Sequence, residues 1–524
     1  MKSKVLGVSI FTITLLYGLL SAILILAVMI AGGNVLYAII GSIIIILIQF
    51  LISPWLTDLS MRLFYKAKFN YELPEYLKSF IEDICQKNNI KYPKIGMIED
   101  GAPNAFTYGR TKRDARIILT KGLFDLLSED EVKAVVGHEL GHVAHMDILV
   151  MTAVQVIPLI LYAVYEMLAN SKDSSDNDES KAKIVGYIAY GLYIISQYII
   201  LWLSRTREYY ADEFSCEATK NPNDLAEALV KIGFGLSTIT SENKVSNRNA
   251  LGIFDKGASK AMTISSFDEN KIDKNRIKNS MKWEMWNPWA KIFELNSTHP
   301  LISKRLNAIS RLCENYNKTP YIEFNLVKEE SYLDDFFIEL LISILPLISL
   351  IISIICGFAF KDQLFRVIGI GLLVTMFLSF IKFKRAHKNN YKESTVEKLL
   401  SEIKVSHVTS IPTILKGTII GRGNPGCIFS EDFVIKDETG IMFMDYNQPL
   451  TILNKIFAIF KAKENFDKEV IIKGWYRRSP VPYVEIYEYT IDGKTKKIWT
   501  YSLSIGFYVV SFIAALVLIG ISFM

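Results

Sequence analysis

Long apolar runs alternate with polar segments along the chain. Seven of these runs approach or reach the roughly 20 residues that a membrane-spanning helix requires. They cover approximately residues 5–31, 35–53, 149–169, 184–203, 336–360, 364–382 and 502–523. The first run is too long for the apolar part of a signal peptide, and the second follows after only a short Gly-Gly-Asn turn. The pattern therefore predicts a multi-pass α-helical membrane protein.

Lysine and arginine residues are concentrated at alternate ends of these runs. The four clusters are Lys2 and Lys4; Arg62, Lys66 and Lys68; Arg205 and Arg207; and Lys382, Lys384, Arg385, Lys388 and Lys392. Because positive side chains accumulate at the cytoplasmic ends of membrane helices, all four clusters are expected on that side. This places the N-terminus and residues 54–148, 204–335 and 383–501 in the cytoplasm, with the chain in the plasma membrane.

The apolar runs and the polar segments together predict five consecutive regions. In chain order these are residues 1–53, with two membrane helices; residues 54–335, a domain that includes membrane helices at about 149–169 and 184–203; residues 336–382, with two membrane helices; residues 383–501, a cytoplasmic β-rich domain; and residues 502–524, the last membrane helix. Residues 72–90 show helical periodicity, and Lys94–Ile98 and Ala115–Thr120 are strand-like. The second region is therefore expected to be an α+β domain built on the membrane helices.

The β-rich prediction rests on alternating apolar and polar positions after residue 405. Three such runs are separated by turn signals: Phe433–Lys436, Gly440–Met444 and Glu469–Trp475. The pattern indicates a small β domain, for which an OB-type barrel is one candidate.

Composition agrees with a membrane protein. Half of the 524 residues are hydrophobic, and the mean hydropathy is +0.24. The net charge of +5 is small for this length and arises from clusters beside apolar runs, so nucleic acid is not an expected partner. The five cysteines form no CxxC pair, which favours free thiols in a reducing compartment.

A short polar motif lies in one predicted helix. Ser128 and Glu131 form a capping box, which satisfies two backbone N–H groups where the helix begins. Further along the same predicted helix, the sequence His138-Glu139-Leu140-Gly141-His142 is an HExxH motif. Two histidines four residues apart share one helix face and can bind a single Zn²⁺. The glutamate can take a proton from zinc-bound water, whose pKa the metal lowers to roughly 7. We therefore predict one zinc ion per chain.

A zinc site of this kind needs a third ligand from the protein. A metzincin arrangement would need a histidine where this chain has Ile148. The motif helix is expected to run directly into the third apolar run, and the fourth run is expected to continue to Glu208. Each arm has about 25 residues, or roughly 40 Å at 1.5 Å per residue. An antiparallel hairpin would therefore return Glu208 to the depth of His142, which makes Glu208 the predicted third ligand.

Other polar residues are expected near these ligands. Asp212 lies one helical turn beyond Glu208 and is placed to accept a hydrogen bond from the second nitrogen of a ligand histidine. Arg205 is expected beside the same group. The alternative is a solvated charged turn in which the carboxylates pair with Arg205 or Arg207. His145 is either a further donor near the site or a packed structural residue.

Together these motifs resemble those of the HtpX-type membrane zinc metallopeptidases, a family that includes the type I CAAX prenyl proteases. The matching features are the paired N-terminal runs, Gly137–His142, the following pair of runs and Ser204–Asp212, and they cover roughly residues 1–315. The resemblance implies that residues 54–335 are a gluzincin-like zinc metallopeptidase domain with three zinc ligands and a general base. These are His138, His142 and Glu208 as ligands, and Glu139 as the base.

Two further segments match the family. Asn104, Ala105 and Phe106 resemble the edge-strand segment that lines the family's cleft, where an extended peptide can add as a strand. The alternative is a plain turn and strand start. His299 before Pro300 resembles the family's downstream His-Pro segment, which implies a catalytic role in stabilising the oxyanion or holding the substrate carbonyl. The alternative is a structural histidine.

The resemblance implies an endopeptidase that cleaves membrane proteins in protein quality control, with protein or peptide segments near the bilayer as substrates. A dedicated processing protease of the CAAX type is the nearest alternative, and a catalytically inactive membrane scaffold is another. A scaffold would be expected to lose a ligand or the base, and this chain retains all of them. The C-terminal runs and the β-rich domain depart from the four-span HtpX plan, and no pattern predicts an oligomeric state.

Overall fold

A computed structural model describes the chain in segments that form two compact units. The described residues are 35–100, 103–169, 176–238, 274–324, 327–328, 330–422, 432–450, 454, 465–479 and 481–523. The first unit contains residues 35–232 and 294–323, and the second contains residues 233–238, 274–293 and the described residues from 324 onward. The first predicted membrane run, residues 5–31, lies outside the described residues.

The elements are named in chain order. Up to residue 316 they are α1 (Val35–Tyr65), β1 (Lys68–Phe69), α2 (Glu75–Asn88), β2 (Lys94–Ile98), β3 (Ala105–Tyr108), β4 (Arg116–Thr120), α3 (Lys121–Leu126), α4 (Glu129–Ala144), α5 (Asp147–Ala169), α6 (Asp176–Thr219), α7 (Pro222–Thr238), α8 (Lys274–Trp286), α9 (Pro288–Leu295), α10 (Ile302–Leu312) and a 3₁₀ turn at Cys313–Tyr316. The later elements are α11 (Leu333–Ala359), a 3₁₀ turn at Lys361–Gln363, α12 (Leu364–Ala386), β5 (Lys392–Glu393), α13 (Val396–Ser401), β6 (Ile411–Arg422), β7 (Phe433–Lys436), β8 (Ile441–Asp445), β9 (Glu469–Ser479), β10 (Val481–Ile491), β11 (Lys494–Lys497) and α14 (Thr500–Ile521).

The first unit contains a four-stranded sheet in the order β1-β2-β4-β3. Strands β2 and β4 are parallel, and the outer pairings are antiparallel. Ile117, Ile118 and Leu119 of β4 are fully buried, which is typical of a strand covered on both faces. The strands predicted at Lys94–Ile98 and Ala115–Thr120 are confirmed, although the second begins at Arg116. Strand β3 lies at the edge of the sheet, and α4 packs beside it.

Helices α5 and α6 pack together along apolar side chains spaced mainly three or four residues apart. The shared core contains Val154, Ile157, Leu161, Val164 and Leu168 from α5, and Ala182, Val185, Ala189, Ile200 and Leu203 from α6. Because the connection is short, the two helices form an antiparallel hairpin. Helix α6 has 44 residues and continues from the fourth apolar run through Glu208, as the sequence predicts.

The prediction that the motif helix runs directly into the third apolar run is wrong. Helix α4 ends at Ala144, and α5 begins at Asp147. Between them Met146 adopts a left-handed backbone conformation with φ of 56°. A left-handed residue cannot continue a right-handed helix, so the helix is interrupted there. The negative side chain of Asp147 at the start of α5 is also favoured by the helix dipole.

Five strands of the second unit close into a barrel. Strand β6 pairs with β7, β7 with β8, β8 with β10, β10 with β9, and β9 again with β6. The β8–β10 pairing is parallel and the other four are antiparallel, while β5 and β11 extend the sheet at its ends. Buried apolar residues on the barrel strands include Leu415, Ile435, Met442, Ile472 and Val484. The C-terminal region therefore contains a barrel-like sheet, as the alternating runs after residue 405 predict.

Four described helical segments are long and apolar enough to cross a membrane. They are Ser180–Thr219, Leu333–Ala359, Lys361–Ala386 and Thr500–Ile521, and they overlap the fourth to seventh predicted runs almost completely. The second and third predicted runs are also helical, within α1 and α5. Large apolar side chains such as Phe337, Ile355 and Phe358 are more than half exposed on α11, which suits a lipid environment. These helices indicate a membrane location.

Residues 274–293, which include α8 and most of α9, belong to the second unit. The sequence instead groups them with the domain over residues 54–335. Trp283 is fully buried, and its indole Nε1–H donates to the carbonyl oxygen of Val405 at 2.7 Å. The guanidinium of Arg478 lies 4.7 Å from the Trp283 ring centroid. These contacts explain why the segment packs with the later part of the chain.

Candidate metal centre

Helix α4 holds the HExxH motif in a rigid, buried setting. The predicted capping box is present: the backbone N–H of Ser128 donates to Glu131 Oε2 at 2.8 Å, and the Glu131 N–H donates to Ser128 Oγ at 3.4 Å. Val136 and Leu140 are fully buried on the same helix. Capping at the start and burial along the length together fix the rotation of the helix, and hence the direction of its histidines.

A close approach between α4 and α6 positions the two halves of the site. A Cβ atom added at Gly141 would lie 3.1 Å from the Cα atom of Ala211 and 3.2 Å from Cβ of Phe214. The Ser215 hydroxyl also donates to the carbonyl oxygen of Ala134 at 2.6 Å. The glycine within the motif therefore lets the two backbones come close enough for side chains of both helices to share one ion.

Three side chains from these helices converge on a single point. The Nε2 atoms of His138 and His142 are 3.2 Å apart. His138 Nε2 lies 3.6 Å from Glu208 Oε2, and His142 Nε2 lies 3.6 Å from Glu208 Oε1. His138 is completely buried and Glu208 is 5% exposed, whereas His142 is half-buried. The structure thus brings together two imidazoles and the carboxylate of Glu208.

The spacing of these atoms fits a tetrahedral zinc ion. Ligand atoms that each lie about 2.0–2.1 Å from a tetrahedral centre are separated from one another by about 3.3–3.4 Å. The observed separations of 3.2, 3.6 and 3.6 Å are close to that value. Two neutral imidazoles and one carboxylate are also ligands that zinc commonly takes in catalytic sites. Both the donor atoms and their geometry therefore fit Zn²⁺.

His138 is held from behind by a buried carboxylate. Its Nδ1 atom lies 2.9 Å from Oδ1 of Asp212. Arg305 in turn donates to both oxygens of Asp212, from Nη2 at 2.6 Å and from Nε at 2.9 Å. A carboxylate on Nδ1 fixes the tautomer that leaves Nε2 available to a metal ion. The bidentate arginine keeps the buried carboxylate charged and oriented.

His142 has a matching partner that the sequence analysis missed. Its Nδ1 atom lies 2.6 Å from Oδ2 of Asp147, and Arg207 donates to the other oxygen of Asp147. Burial opposes charge on His142, but the hydrogen bond to Asp147 and the nearby carboxylates raise its pKa to about 9. The signal available in the sequence was a carboxylate five residues after His142, in the stretch interpreted as uninterrupted helix.

His299, in the segment before α10, and Arg305, on α10, both approach Glu208, the predicted third ligand. His299 Nδ1 lies 3.1 Å from Glu208 Oε2, and Arg305 Nη1 lies 3.4 Å from the same oxygen. The side chain of His299 is 19% exposed, so it lies at the accessible margin of the site, whereas Arg305 is fully buried. The positive charge of Arg305 offsets the two carboxylates that α6 contributes.

Arg205 binds main-chain groups, whereas the sequence places it beside the ligand side chains. Its Nη1 atom donates to the carbonyl oxygens of Glu294 and Ser297, both at 2.7 Å, rather than to a ligand side chain. Ser297 Oγ in turn accepts a hydrogen bond from the backbone N–H of His299 at 3.1 Å. Arg205 therefore ties α6 to the segment that presents His299.

In the sequence, Glu139 lies between the two histidines of the motif, and His145 follows the second histidine by three residues. Glu139 is 3% exposed, and its charge contributes to the raised pKa of the neighbouring His142. The ring of His145 packs edge-on against Phe214 at 5.7 Å between centroids, and burial lowers its pKa. These contacts agree with the structural alternative for His145.

The predicted peptide-binding segment forms the start of the edge strand. The backbone N–H of Asn104 donates to Thr120 Oγ1 at 2.8 Å, and the Asn104 carbonyl oxygen accepts from the Thr120 backbone at 3.1 Å. Ala105 and Phe106 are buried and pair with β4. Within the described part of the chain, the opposite edge of β3 pairs with no strand.

Comparison with known proteins assigns the family. The sequence model of Peptidase family M48 matches residues 73–313. A Protease HtpX homolog of Methanothermobacter thermautotrophicus is 39% identical over 46% of this chain and 90% of its own length. One of Picrophilus torridus is 31% identical over 54% of this chain and 86% of its own. The crystal structure of S. mikatae Ste24p aligns with 58% of this chain and 66% of its own at 19% identity and a TM-score of 0.33. The chain belongs to peptidase family M48, together with the HtpX protease homologues.

Proposed function

We propose that this protein is a zinc-dependent endopeptidase that cleaves peptide bonds of membrane proteins at the cytoplasmic surface of the plasma membrane. The observation that carries the proposal is the convergence of His138, His142 and Glu208 at the spacing expected of ligands around a tetrahedral ion. Glu139 lies between the two histidines on helix α4. Membership of a peptidase family supports the same reaction class. Quality control of damaged membrane proteins is the role that we assign to it.

His138, His142 and Glu208 would hold the metal ion, one per chain. When bound there, zinc acts as a Lewis acid that lowers the pKa of water to roughly 7 and polarises the substrate carbonyl. Glu139 accepts a proton from the attacking water and delivers it to the leaving nitrogen of the cleaved bond. Asp212 and Asp147 keep the two imidazoles in the required tautomer.

His299 is proposed to contact the substrate carbonyl. Its position at the margin of the site, 3.1 Å from a ligand oxygen of Glu208, suits a donor that stabilises negative charge developing on that carbonyl. Arg205 is a positioning residue in this account, because it holds the segment before His299 through main-chain carbonyl groups.

An extended substrate is proposed to add along strand β3. The edge segment Asn104–Phe106 lies next to helix α4, and main-chain hydrogen bonds to an edge strand do not depend on the substrate sequence. This mode of binding suits a protease that acts on many different proteins. It also requires a substrate segment that is locally unfolded, as in a damaged protein.

The cytoplasmic side is inferred from the basic clusters at the ends of the apolar runs. The predicted metal site is directly connected to an apolar helix, since α6 continues from its apolar part to Glu208 without a break. The site is therefore proposed to lie at the membrane surface, where segments beside or extracted from the bilayer can reach it.

The proposal is tested by replacing the base while leaving the ligands intact. Purified wild-type protein, Glu139→Gln and Glu129→Gln are compared for zinc content and for cleavage of an unfolded casein-like protein. Glu129 is an exposed glutamate in the first turn of the same helix, which makes it a matched control. We expect all three proteins to bind one zinc per chain, and Glu139→Gln to lose about 10²- to 10⁴-fold of the activity. Undiminished cleavage by Glu139→Gln, or an inactive wild type with zinc bound, would reject the proposal.

A further inference from the structure

The second unit contains a charged cavity that is separate from the metal centre. It has a volume of about 250 Å³. Its lining comes from the beginning of α11, the end of α12, the start of α9 and the segment that follows α13. The lining residues are Asn287, Trp289, Tyr332, Asp335, Phe336, Glu339, Arg385, Lys388, Lys404 and Thr409. The volume is below the roughly 300–1,000 Å³ of pockets for drug-sized ligands, which suits a small polar group.

One side of the cavity combines a buried carboxylate with aromatic rings. Glu339 is 6% exposed and accepts a hydrogen bond from Trp289 Nε1 at 2.6 Å. Among the described residues, no lysine, arginine or histidine nitrogen lies within 4.0 Å of its carboxylate. Phe336 packs edge-on against Trp289 at 5.1 Å, and Tyr332 also lines this side. A carboxylate among aromatic faces is a favourable environment for an ammonium group.

The cavity lining also carries positive charge, from Arg385, Lys388 and Lys404. Arg385 donates from Nε to Thr409 Oγ1 at 2.9 Å, which leaves the two terminal nitrogens of the guanidinium to face another partner. In the described part of the chain, no carboxylate oxygen lies within 4.0 Å of the charged nitrogens of Arg385 or Lys388. Lys404, by contrast, pairs with Asp335 at 3.2 Å and with Glu330 at 3.1 Å. Arginine and lysine placed together in this way are suited to bind a phosphate.

The position of the cavity along the membrane helices indicates where such a ligand comes from. Helix α11 begins at Leu333 and α12 ends at Ala386, and both are long and apolar enough to cross a membrane. Of the charged lining residues, Asp335 and Glu339 lie within the first two turns of α11, and Arg385 and Lys388 lie at the end of α12 and just after it. The cavity therefore lies where apolar helix surface gives way to polar residues, which is the depth of lipid headgroups.

We propose that this cavity binds the zwitterionic headgroup of an aminophospholipid, with the phosphate against Arg385 and Lys388 and the ammonium group against Glu339 and the aromatic side. The lining of this one small cavity offers both positive and negative groups, and such a headgroup carries one charge of each sign. The lipid thereby becomes a bound component of the second unit at the point where α11, α12 and the chain leading to the barrel meet. The proposal does not depend on the peptidase activity.

The first test measures lipid retained by the full-length protein. Protein purified in detergent and stripped of lipid is mixed with phosphatidylethanolamine or phosphatidylglycerol, and bound lipid is counted by native mass spectrometry. We expect one phosphatidylethanolamine per chain and about tenfold weaker retention of phosphatidylglycerol, which has the phosphate but no ammonium group. Equal retention of both lipids would overturn the ammonium assignment. Displacement of the lipid by an equal concentration of soluble phosphoethanolamine would overturn the membrane source.

Variants then assign the two halves of the cavity. Glu339→Gln keeps an acceptor for Trp289 and is expected to abolish the preference for phosphatidylethanolamine. Arg385→Gln is expected to weaken retention of both lipids about tenfold. Lys384→Gln, which removes the same charge from the adjacent exposed residue, is the matched control and should leave retention unchanged. The exposed Lys388→Gln serves as a second phosphate-side variant if Arg385→Gln lowers the unfolding temperature of the lipid-free protein. Equal loss in Lys384→Gln and in the phosphate-side variants would overturn the site.

Discussion

At the level of single side chains, the orientation of the two histidine rings depends on the imidazole nitrogens that face away from the ligand cluster. Each Nδ1 atom lies within hydrogen-bond distance of a carboxylate oxygen, Asp212 for His138 and Asp147 for His142. Each carboxylate is in turn paired with a buried arginine, Arg305 or Arg207. The two histidines are thus supported by two similar chains of charged groups, so the ring orientations are set before any metal ion binds.

The first prediction concerns Asp147, the partner that sequence reasoning missed. Asp147→Asn is expected to weaken zinc affinity by about 10- to 100-fold, because the tautomer and orientation of His142 are no longer fixed. Competition with a chelator of known affinity measures this change. Asp130→Asn is the matched control, since Asp130 is an exposed residue at the start of helix α4 and its side chain pairs with Lys133. An affinity equal to that of the wild type would show that Asp147 has no role in zinc binding.

Sequence reasoning reached residues whose position follows from regular geometry. Glu208 was predicted from the lengths of two helical arms, and the structure brings its carboxylate to both histidines. Asp147 was missed because its approach to His142 depends on the left-handed residue Met146, which no periodicity reveals. Arg205 was assigned to the ligand group from proximity in sequence, yet its side chain turns to main-chain carbonyls near His299. Side-chain direction at such positions depends on contacts from distant segments.

At the level of elements, the site depends on how closely α4 and α6 approach. Gly141 faces the backbone of Ala211, and the space there does not accept a further carbon atom without displacement. The His138 and His142 side chains project from α4, whereas Glu208 projects from α6. A small separation of the two helices therefore changes all ligand distances at once.

The second prediction follows from this contact. Gly141→Ala is expected to push the helices apart and, through overpacking, to lower the free energy of unfolding by about 1–3 kcal/mol. Zinc occupancy is expected to fall by more than this loss of stability alone would cause. Zinc content and the unfolding temperature are measured together. Gly191→Ala is the control within α6, since a Cβ atom there meets nothing within 4 Å. Full zinc occupancy in Gly141→Ala would contradict the close-approach argument.

The elements themselves were largely predictable. The capping box of α4, the strands β2 and β4 and the apolar helices all follow from local patterns that the structure retains. The break between α4 and α5 did not follow, because the apolar residues on both sides of Met146 continue a helical pattern. Local sequence favours helix there, whereas the pairing of Asp147 with His142 and Arg207 stabilises the interruption.

At the level of the whole molecule, the family match and the two units have different boundaries. The M48 match ends at residue 313, and the barrel and helices α11, α12 and α14 lie beyond it. Residues 274–293 lie within the match but pack in the second unit, through Trp283 and Asn287. The barrel was expected from alternating runs, whereas this exchange of a segment was not, because the partner of a buried tryptophan is set by tertiary packing.

The third prediction separates the stability of the two units. Trp283→Ala is expected to lower the free energy of unfolding of the second unit by about 3–5 kcal/mol, because a large buried side chain and its hydrogen bond to Val405 are lost. Zinc content should not change. Hydrogen exchange of the barrel strands reports the first quantity, and Trp499→Ala, at a tryptophan that is 65% exposed, is the control. Loss of zinc in Trp283→Ala would show that the metal site depends on the second unit.

The proposed chemistry depends throughout on two imidazoles and one carboxylate that bind a single zinc ion. X-ray absorption at the zinc edge of the purified full-length protein tests it most directly. We expect a coordination shell made only of nitrogen and oxygen at about 2.0–2.1 Å, with scattering from two imidazole rings, and loss of one ring in His142→Ala. Sulfur in the first shell at about 2.3 Å, or an unchanged spectrum in His142→Ala, would contradict it.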